Sequence, residues 1–315
     1  MRVIFDPNQI SRPTAIALGN FDGVHIGHRH VIAPILPSAL SANHHHLTST
    51  VVSFSPHPQE FFSKQLRSLL APFDEKVALL ESLGVEQLVL LPFNADLAKL
   101  TAAEFIQKIL MDSLQVKLIS VGFDFHFGQK RQGNVTDLKN VWGDHLTVIP
   151  EQTMLLNDSA PIRISSSNIR TALAKGEVDL AKVMLGRPYN LVGKVIQGKQ
   201  LGRTIGFPTA NLDLPAQKCL PRDGVYAVLV NISSNPKPIL GVMNIGLRPT
   251  VNGDRRSVEV NLFDWQGDLY NQELNVDLVK YIRPEQKFAS LDALKEQIQA
   301  DCQTAFNHLA FSLTH

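Results

Sequence analysis

The chain has 315 residues, 44% of them hydrophobic and 19% charged, which is more than one core usually organises and leaves no room for a long disordered arm, so two folded domains are expected. Thirty Lys and Arg against 29 Asp and Glu leave a net charge of +1, so no global field draws the chain to nucleic acid or to a membrane, and any phosphate recognition must be local. Cys219 and Cys302 make neither a disulfide framework nor a cysteine metal site, the opening MRVIFDPNQISRP lacks a signal-peptide core, and no stretch reaches the ~18 apolar residues of a membrane span, so a cytoplasmic location is expected.

In chain order, the first half alternates short apolar runs with amphipathic stretches, the pattern of a parallel sheet with crossover helices. Strands are predicted at AIALG, TVVSF, QLVLLPF, KLISVGF and LTVIP. Helices are predicted at DEKVALLESLG, with Asp74 as cap, and at TAAEFIQKILMDSL, with Thr101 as cap. A helix should also start near His28, but Pro34 and Pro37 limit its length. SSSNIRTALAKGEVDLAKVMLG reads as two short helices split at Gly176, after which the period changes to that of strands: YNLVGKVIQG, GVYAVLVNIS, KPILGVMNIG, SVEVNLFDW and ELNVDLVKYIR. These form a small antiparallel barrel or sandwich, closed by a helix capped at Ser290. The domain boundary is therefore set near Gly186, giving residues 1–186 and 187–315.

Ligands of an open α/β sheet sit beyond the carboxyl ends of its strands, where the first predicted strand runs into GNFDGVHIGH (Gly19 to His28). Gly19, Gly23 and Gly27 permit close backbone approach, and the next helix would offer free N–H groups to a phosphate. His25 and His28 could donate to the same anion, bind a metal, or simply lie in a turn. SFSPHP (Ser53 to Pro58) and VGFDFHFGQKRQGN with Asp124 follow other strands at the same edge, and ISSSNIR (Ile164 to Arg170), at another predicted helix start, supplies hydroxyls and a guanidinium suited to a polyphosphate. Phe123, Phe125 and Phe127 are split between core packing and ring contact with a ligand. His44 to His46 are expected to face solvent from a loop, and Trp142 and Trp265 to pack.

In the second half, GKVIQGK spaces its glycines and lysine as a P-loop would, but Gln200 follows, and LGRTIGFPTAN cannot form the helix a P-loop requires. The longer string GKQLGRTIGFPTANL (Gly198 to Leu212) carries the stronger signal, with Lys199 and Arg203 as candidates for phosphate contact.

Over essentially its whole length the chain resembles the bacterial bifunctional riboflavin kinase/FAD synthetase family, in GNFDGVHIGH and ISSSNIR for the first module and in the PTAN string for the second. The resemblance implies a doubly wound α/β nucleotidyltransferase domain followed by a small antiparallel β-barrel with a C-terminal helix. It implies that the first module joins FMN to ATP, giving FAD and pyrophosphate. Gly19, Asn20, Phe21, Asp22, Gly23, His25, His28, Ser165, Ser166 and Arg170 would then handle ATP, with His28 catalytic; Ser55, Pro56, His57, Pro58, Asp124 and Phe127 would handle FMN. Because the FMN phosphate is already ionised, positioning and charge neutralisation suffice and no strong base is needed.

The second module would phosphorylate riboflavin, an alcohol that must lose a proton, and Glu259 matches the family's general base. Thr209 and Asn211 match the ligands of Mg²⁺–ATP, Gly198 and Gly202 lie in the ATP string with Lys199 and Arg203, and Arg248 and Thr250 match a flavin segment. Two departures stand out: the family often carries Asn where this chain has Asp124, and His where it has Asn261. Alone, Glu259 would read as an exposed strand glutamate; the PTAN string changes that. The rivals are a flavin-binding regulatory protein that kept both folds but lost turnover, and a nucleotidyltransferase fused to a nucleic-acid-binding barrel.

Overall fold

Short apolar runs become parallel strands in the first half, the central ones because they are buried on both faces. In this computed structural model, which describes residues 1–155, 160–198, 202, 205–250 and 253–313, internal contacts divide the chain into two compact units, Met1–Ser166 and Ser167–His315. In the first unit β1 (Arg2–Ile4), β2 (Thr14–Leu18), β3 (Thr48–Ser55), β4 (Gln87–Pro92), β5 (Val116–Gly122) and β6 (Leu146–Ile149) form one sheet in the order β1-β4-β3-β2-β5-β6. Every neighbouring pair is parallel. β2 shows the two-sided burial directly: Ile16 and Leu18 join one apolar cluster with Val52 and Val89, while Ala15 and Ala17 join another with Val51 and Leu88.

The chain winds from β2 through β3 to β4 on one side, then returns to place β5 on the other side of β2. That reversal opens a crevice at the carboxyl ends of β2, β3 and β5, where the motif loops lie. α1 (Ile26–Ile32) starts where expected, passes into a 3₁₀ turn at Ala33–Ile35 and is stopped by the prolines. α2 (Pro58–Ser63) follows the SPHP turn, and α3 (Phe73–Ser82) begins earlier than predicted: Pro72 occupies the cap position and Asp74 lies in the first turn, where it favours the helix dipole instead. After α4 (Ala95–Lys99), α5 (Ala102–Glu104) has the predicted Thr101 cap, in a reciprocal box with Glu104, and continues as a π-type helix through Ser113. α6 (Val135–Trp142) and a small hairpin, β7 (Thr153–Met154) with β8 (Ile162–Arg163), complete the unit.

α7 (Ser166–Lys175) and α8 (Val178–Leu185) are the predicted pair split at Gly176, whose positive φ (81°) lets the face of the Tyr281 ring approach. Both pack with the barrel unit, through Arg222 N to Leu173 O (2.8 Å) and through α8 against β9 and β14. The barrel closes in the order β10-β13-β12-β11-β14-β9, with β9 (Tyr189–Ile196), β10 (Ala210–Asp213), β11 (Gly224–Ile232), β12 (Ile239–Thr250), β13 (Gly253–Leu262) and β14 (Glu273–Arg283), all neighbours antiparallel. Tyr226, Val228 and Val230 fill one face of β11, while Val225 and Ala227 on the other pack against Ala305 and Leu309 of α9 (Leu291–Leu313). Burial on both faces explains why β11 reads as a continuous apolar run. Ser290 caps α9 as predicted, its Oγ accepting from Ala293 N at 3.1 Å.

Two candidate active sites

In the first unit the loop after β2 follows an uncommon backbone path. Phe21 and Val24 have positive φ (51° and 42°), as does Gly23 (82°), and a β-branched residue in that region is strained, as happens most at binding sites. Gly23 is required here, because a Cβ would stand 2.9 Å from Leu70. Asp22 is buried; its Oδ1 accepts from Ala71 N (3.1 Å) and its carbonyl from Ser166 Oγ (2.9 Å), so it brings Ser166 to the loop and fastens it.

His25 caps α1, its Nδ1 accepting from His28 N at 3.2 Å, and its ring stacks on that of His28 with centroids 3.6 Å apart. The glycine of His-x-Gly-His makes this possible, since a Cβ at Gly27 would press on His25 at 3.2 Å. Burial, then the charges of His25 and Lys76, hold the pKa of His28 well below that of an ordinary imidazole. The ring is therefore neutral at pH 7 and acts through hydrogen bonds, not as a cation. Its Nδ1 is buried with no hydrogen-bond partner among the described residues, which leaves it for a ligand. No group of three His, Cys, Asp or Glu among the described residues is arranged to hold a metal.

After β3, the Ser55–Pro56 peptide is cis and His57 caps α2 in a box with Glu60. His57 Nε2 lies 3.2 Å from an Arg67 nitrogen, and burial followed by that guanidinium lowers its pKa to about 4. Beside it Phe54, Phe61, Phe62 and Phe93 form an aromatic cluster with neighbouring centroids 5.3 to 5.8 Å apart. Phe62 is 68% exposed and forms the open edge of this cluster. The sequence reading missed this cluster, although the FF of α2 directly after SPHP was available to it.

After β5, Asp124 pairs with Arg163, which also contacts Glu151 (3.0 Å) and lies over the Phe123 ring. Phe127 is 5% exposed and packs in the sheet core against Phe105 and Phe125. Ser165 and Ser166 close the first unit, and Arg170 falls in the second, on α7.

In the second unit β10 sets Asn211 directly opposite Glu259 of β13, and β12 sets Asn244 opposite it on the other side. Directly opposed residues share a face of the sheet, so the carboxylate stands between two amides. Thr209 Oγ1 donates to Glu259 Oε2 at 3.1 Å. Asn211 is buried, its Oδ1 has no hydrogen-bond partner among the described residues, and its amide fills the space where a Cβ on Gly198 would stand, 2.2 Å away. Asn261 does not contact the carboxylate by any described bond; its amide donates to Pro208 O at 2.7 Å and clips the PTAN strand in place. Gly202 turns the loop, its carbonyl accepting from Phe207 N (2.8 Å).

A cavity of about 370 Å³ opens beside these residues, with Glu259, Thr209 and Asn244 on its polar side and Val242, Phe288, Leu294 and Ile298 on its apolar side. Arg283 braces its wall by a two-pronged ion pair with Asp301 (2.7 and 2.8 Å). Lys199 and Arg203 lie outside the described residues, as do the side chains of Arg248 and Thr250, whose backbone ends β12. Trp142 packs in the core, bonded to Val116 O, and Trp265 is half-buried and bonds within its own turn.

Residues 7–168 match the FAD synthetase family and residues 185–309 the riboflavin kinase family. The bifunctional riboflavin kinase/FMN adenylyltransferase of Pseudomonas fluorescens is 41% identical, covering 93% of this chain and 92% of its own, and that of Haemophilus influenzae is 39% identical, covering 97% of each. A crystal structure described as a macrolide-efflux protein from Streptococcus pneumoniae is similar with a TM-score of 0.84 at 32% identity, covering 97% of this chain and 98% of that one. No helix among the described residues is long and apolar enough to cross a membrane. The chain belongs to the bifunctional riboflavin kinase/FMN adenylyltransferase family.

Proposed function

We propose that the two activities of this enzyme are carried by the two sites as built above, FMN adenylylation by the crevice of the first unit and riboflavin phosphorylation by the barrel. The observation that carries the reading is the barrel constellation: a carboxylate bonded to Thr209, opposite a buried amide oxygen without a partner among the described residues, at the edge of a cavity large enough for a flavin. Glu259 accepts the proton of the terminal ribityl hydroxyl as that oxygen bonds to the γ-phosphorus of ATP and the bond to ADP breaks. The apolar wall takes the isoalloxazine ring. Thr209 and Asn211 fit a hard cation, since both offer neutral oxygens and Asn211 Oδ1 is unsatisfied among the described residues. When bound, Mg²⁺ neutralises charge on the ATP phosphates.

In the crevice the chemistry needs no base. An ionised FMN phosphate oxygen bonds to the α-phosphorus of ATP while the bond to pyrophosphate breaks. Neutral His28, the loop from Gly19 to Gly23, Ser165 and Ser166 hold ATP, and the exposed Phe62 cluster with the SPHP turn receives the flavin ring. The domains are assigned as 1–186 and 187–315 in function. Two free cysteines suit action in the cytoplasm.

Incubation of the protein with riboflavin, ATP and Mg²⁺, followed by chromatography, should yield FMN and then FAD, and excess EDTA should stop both. Flavin binding without product would favour a regulatory protein instead.

A further inference from the structure

The ammonium of Lys76, on α3, donates to the carbonyl oxygen of Asn20 at 3.1 Å, the same oxygen that accepts from Ser53 Oγ at 3.1 Å. It thereby fastens the strained loop after β2 to α3. Its charge acts on His28 and His57, and those of Asp22 and Glu60 act on it, so it lies amid residues of the loop after β2, of α1 and of the start of α2. The two nearby carboxylates already accept from backbone N–H groups: Asp22 from Ala71, Glu60 from His57 and Arg67. Arg163 at the same edge is engaged by Asp124 and Glu151. His28 and His57 are neutral at pH 7, so neither balances a triphosphate. Burial lowers the pKa of Lys76, while Asp22 and Glu60 oppose the fall and favour its charged form. An ammonium has three donors, of which one is directed to Asn20.

We propose that Lys76 is a phosphate-holding residue of the adenylyltransferase site, its charge and remaining N–H groups directed to the phosphates of the ATP carried by the loop it fastens. This rests on the assignment of Gly19 to His28 to ATP. FMN also brings a phosphate, and the commitment to ATP follows from the bond to Asn20, which lies within that segment.

The test is the rate of FAD formation by the full chain at varied ATP and varied FMN, with riboflavin kinase activity measured alongside. Lys76→Met should lower kcat/KM for ATP in FAD formation by about 100-fold, as loss of one transition-state donor does, and leave the KM for FMN within threefold. Lys76→Arg, which keeps charge and donors, should recover to within about tenfold. Kinase activity should be unchanged in both. If Lys76→Met melts the first unit early, Lys76→Arg decides: activity as low as that of Met overturns the proposal. So does a Lys76→Met chain within threefold of the parent, or a defect confined to the KM for FMN. His28→Ala separates the proposal from the assignment beneath it: His28→Ala inactive with Lys76→Met normal removes only Lys76, whereas both normal removes the ATP assignment of the loop.

Discussion

The crevice and the barrel both transfer a phosphorus group from ATP, yet they are furnished differently. The crevice has a neutral His28 stacked on His25, a strained loop and a half-buried ammonium; the barrel has a carboxylate between two amides. The difference follows from the nucleophile. A phosphate monoester arrives ionised and needs only to be held against a neutralised partner, whereas a ribityl alcohol has a proton to lose. The backbone differs accordingly. Positioning in the crevice is stored in the left-handed Phe21, Gly23 and Val24, while in the barrel it is stored in strand register, which fixes Glu259 opposite Asn211 without strain.

The largest effect that would sharpen this contrast is expected from Glu259→Gln. Riboflavin phosphorylation should fall by roughly 1,000-fold, within the range for loss of a general base, while FAD formation from supplied FMN is unchanged; a kinase rate that survives would remove the base. Next, His28→Ala should lower FAD formation by about 100-fold at constant kinase rate, with the fall in kcat and not only in KM. Gly198→Ala probes the support of the proposed cation site: its Cβ would displace the Asn211 amide, and the Mg²⁺ dependence of the kinase should shift by about tenfold, with adenylylation as the internal control.

The smallest effect is on stability. His57 has a folded pKa of about 4 against an ordinary value of about 6.5, and His28 is displaced in the same direction. Between those pH values the unfolded chain binds more protons, so their stabilising contribution is full above about 6.5 and is lost as pH falls through the folded value. The melting temperature of the first unit should therefore drop between pH 7 and pH 5, and less steeply in His57→Gln. An unchanged slope in that variant would mean His57 does not titrate as its surroundings dictate.

Much of this was legible in the sequence where one physical requirement dominates. Alternation between apolar runs and caps placed five strands of the sheet and the helices after Thr101 and Ser290, because two-sided burial and capping are local in their demands. Short elements were missed: β1 has three residues and β10 is hidden within the PTAN string, each a strand only because a neighbour pairs with it. α6 was overlooked although Asn134 and Asp137 form a capping box. In the sites, the sequence pointed to segments, and what each residue touches was not readable from it. Spacing could not distinguish an Asp22 that fastens a loop from one that meets ATP, nor a Phe127 in the core from a Phe62 at the surface, because both distinctions depend on chain returning from distant segments. Lys76 is invisible for the same reason: its partner, Asn20, lies on another element.

The claim that two independent sites divide the chemistry is tested most directly by mixing. Glu259→Gln and His28→Ala chains, each incubated alone with riboflavin and Mg²⁺–ATP, should yield no flavin nucleotide and FMN only, respectively. Combined in one tube they should make FAD, as FMN released by one is adenylylated by the other. If either substitution abolishes both reactions, or if the mixture makes no FAD although each chain retains its remaining activity on supplied substrate, the division into two self-sufficient sites is contradicted.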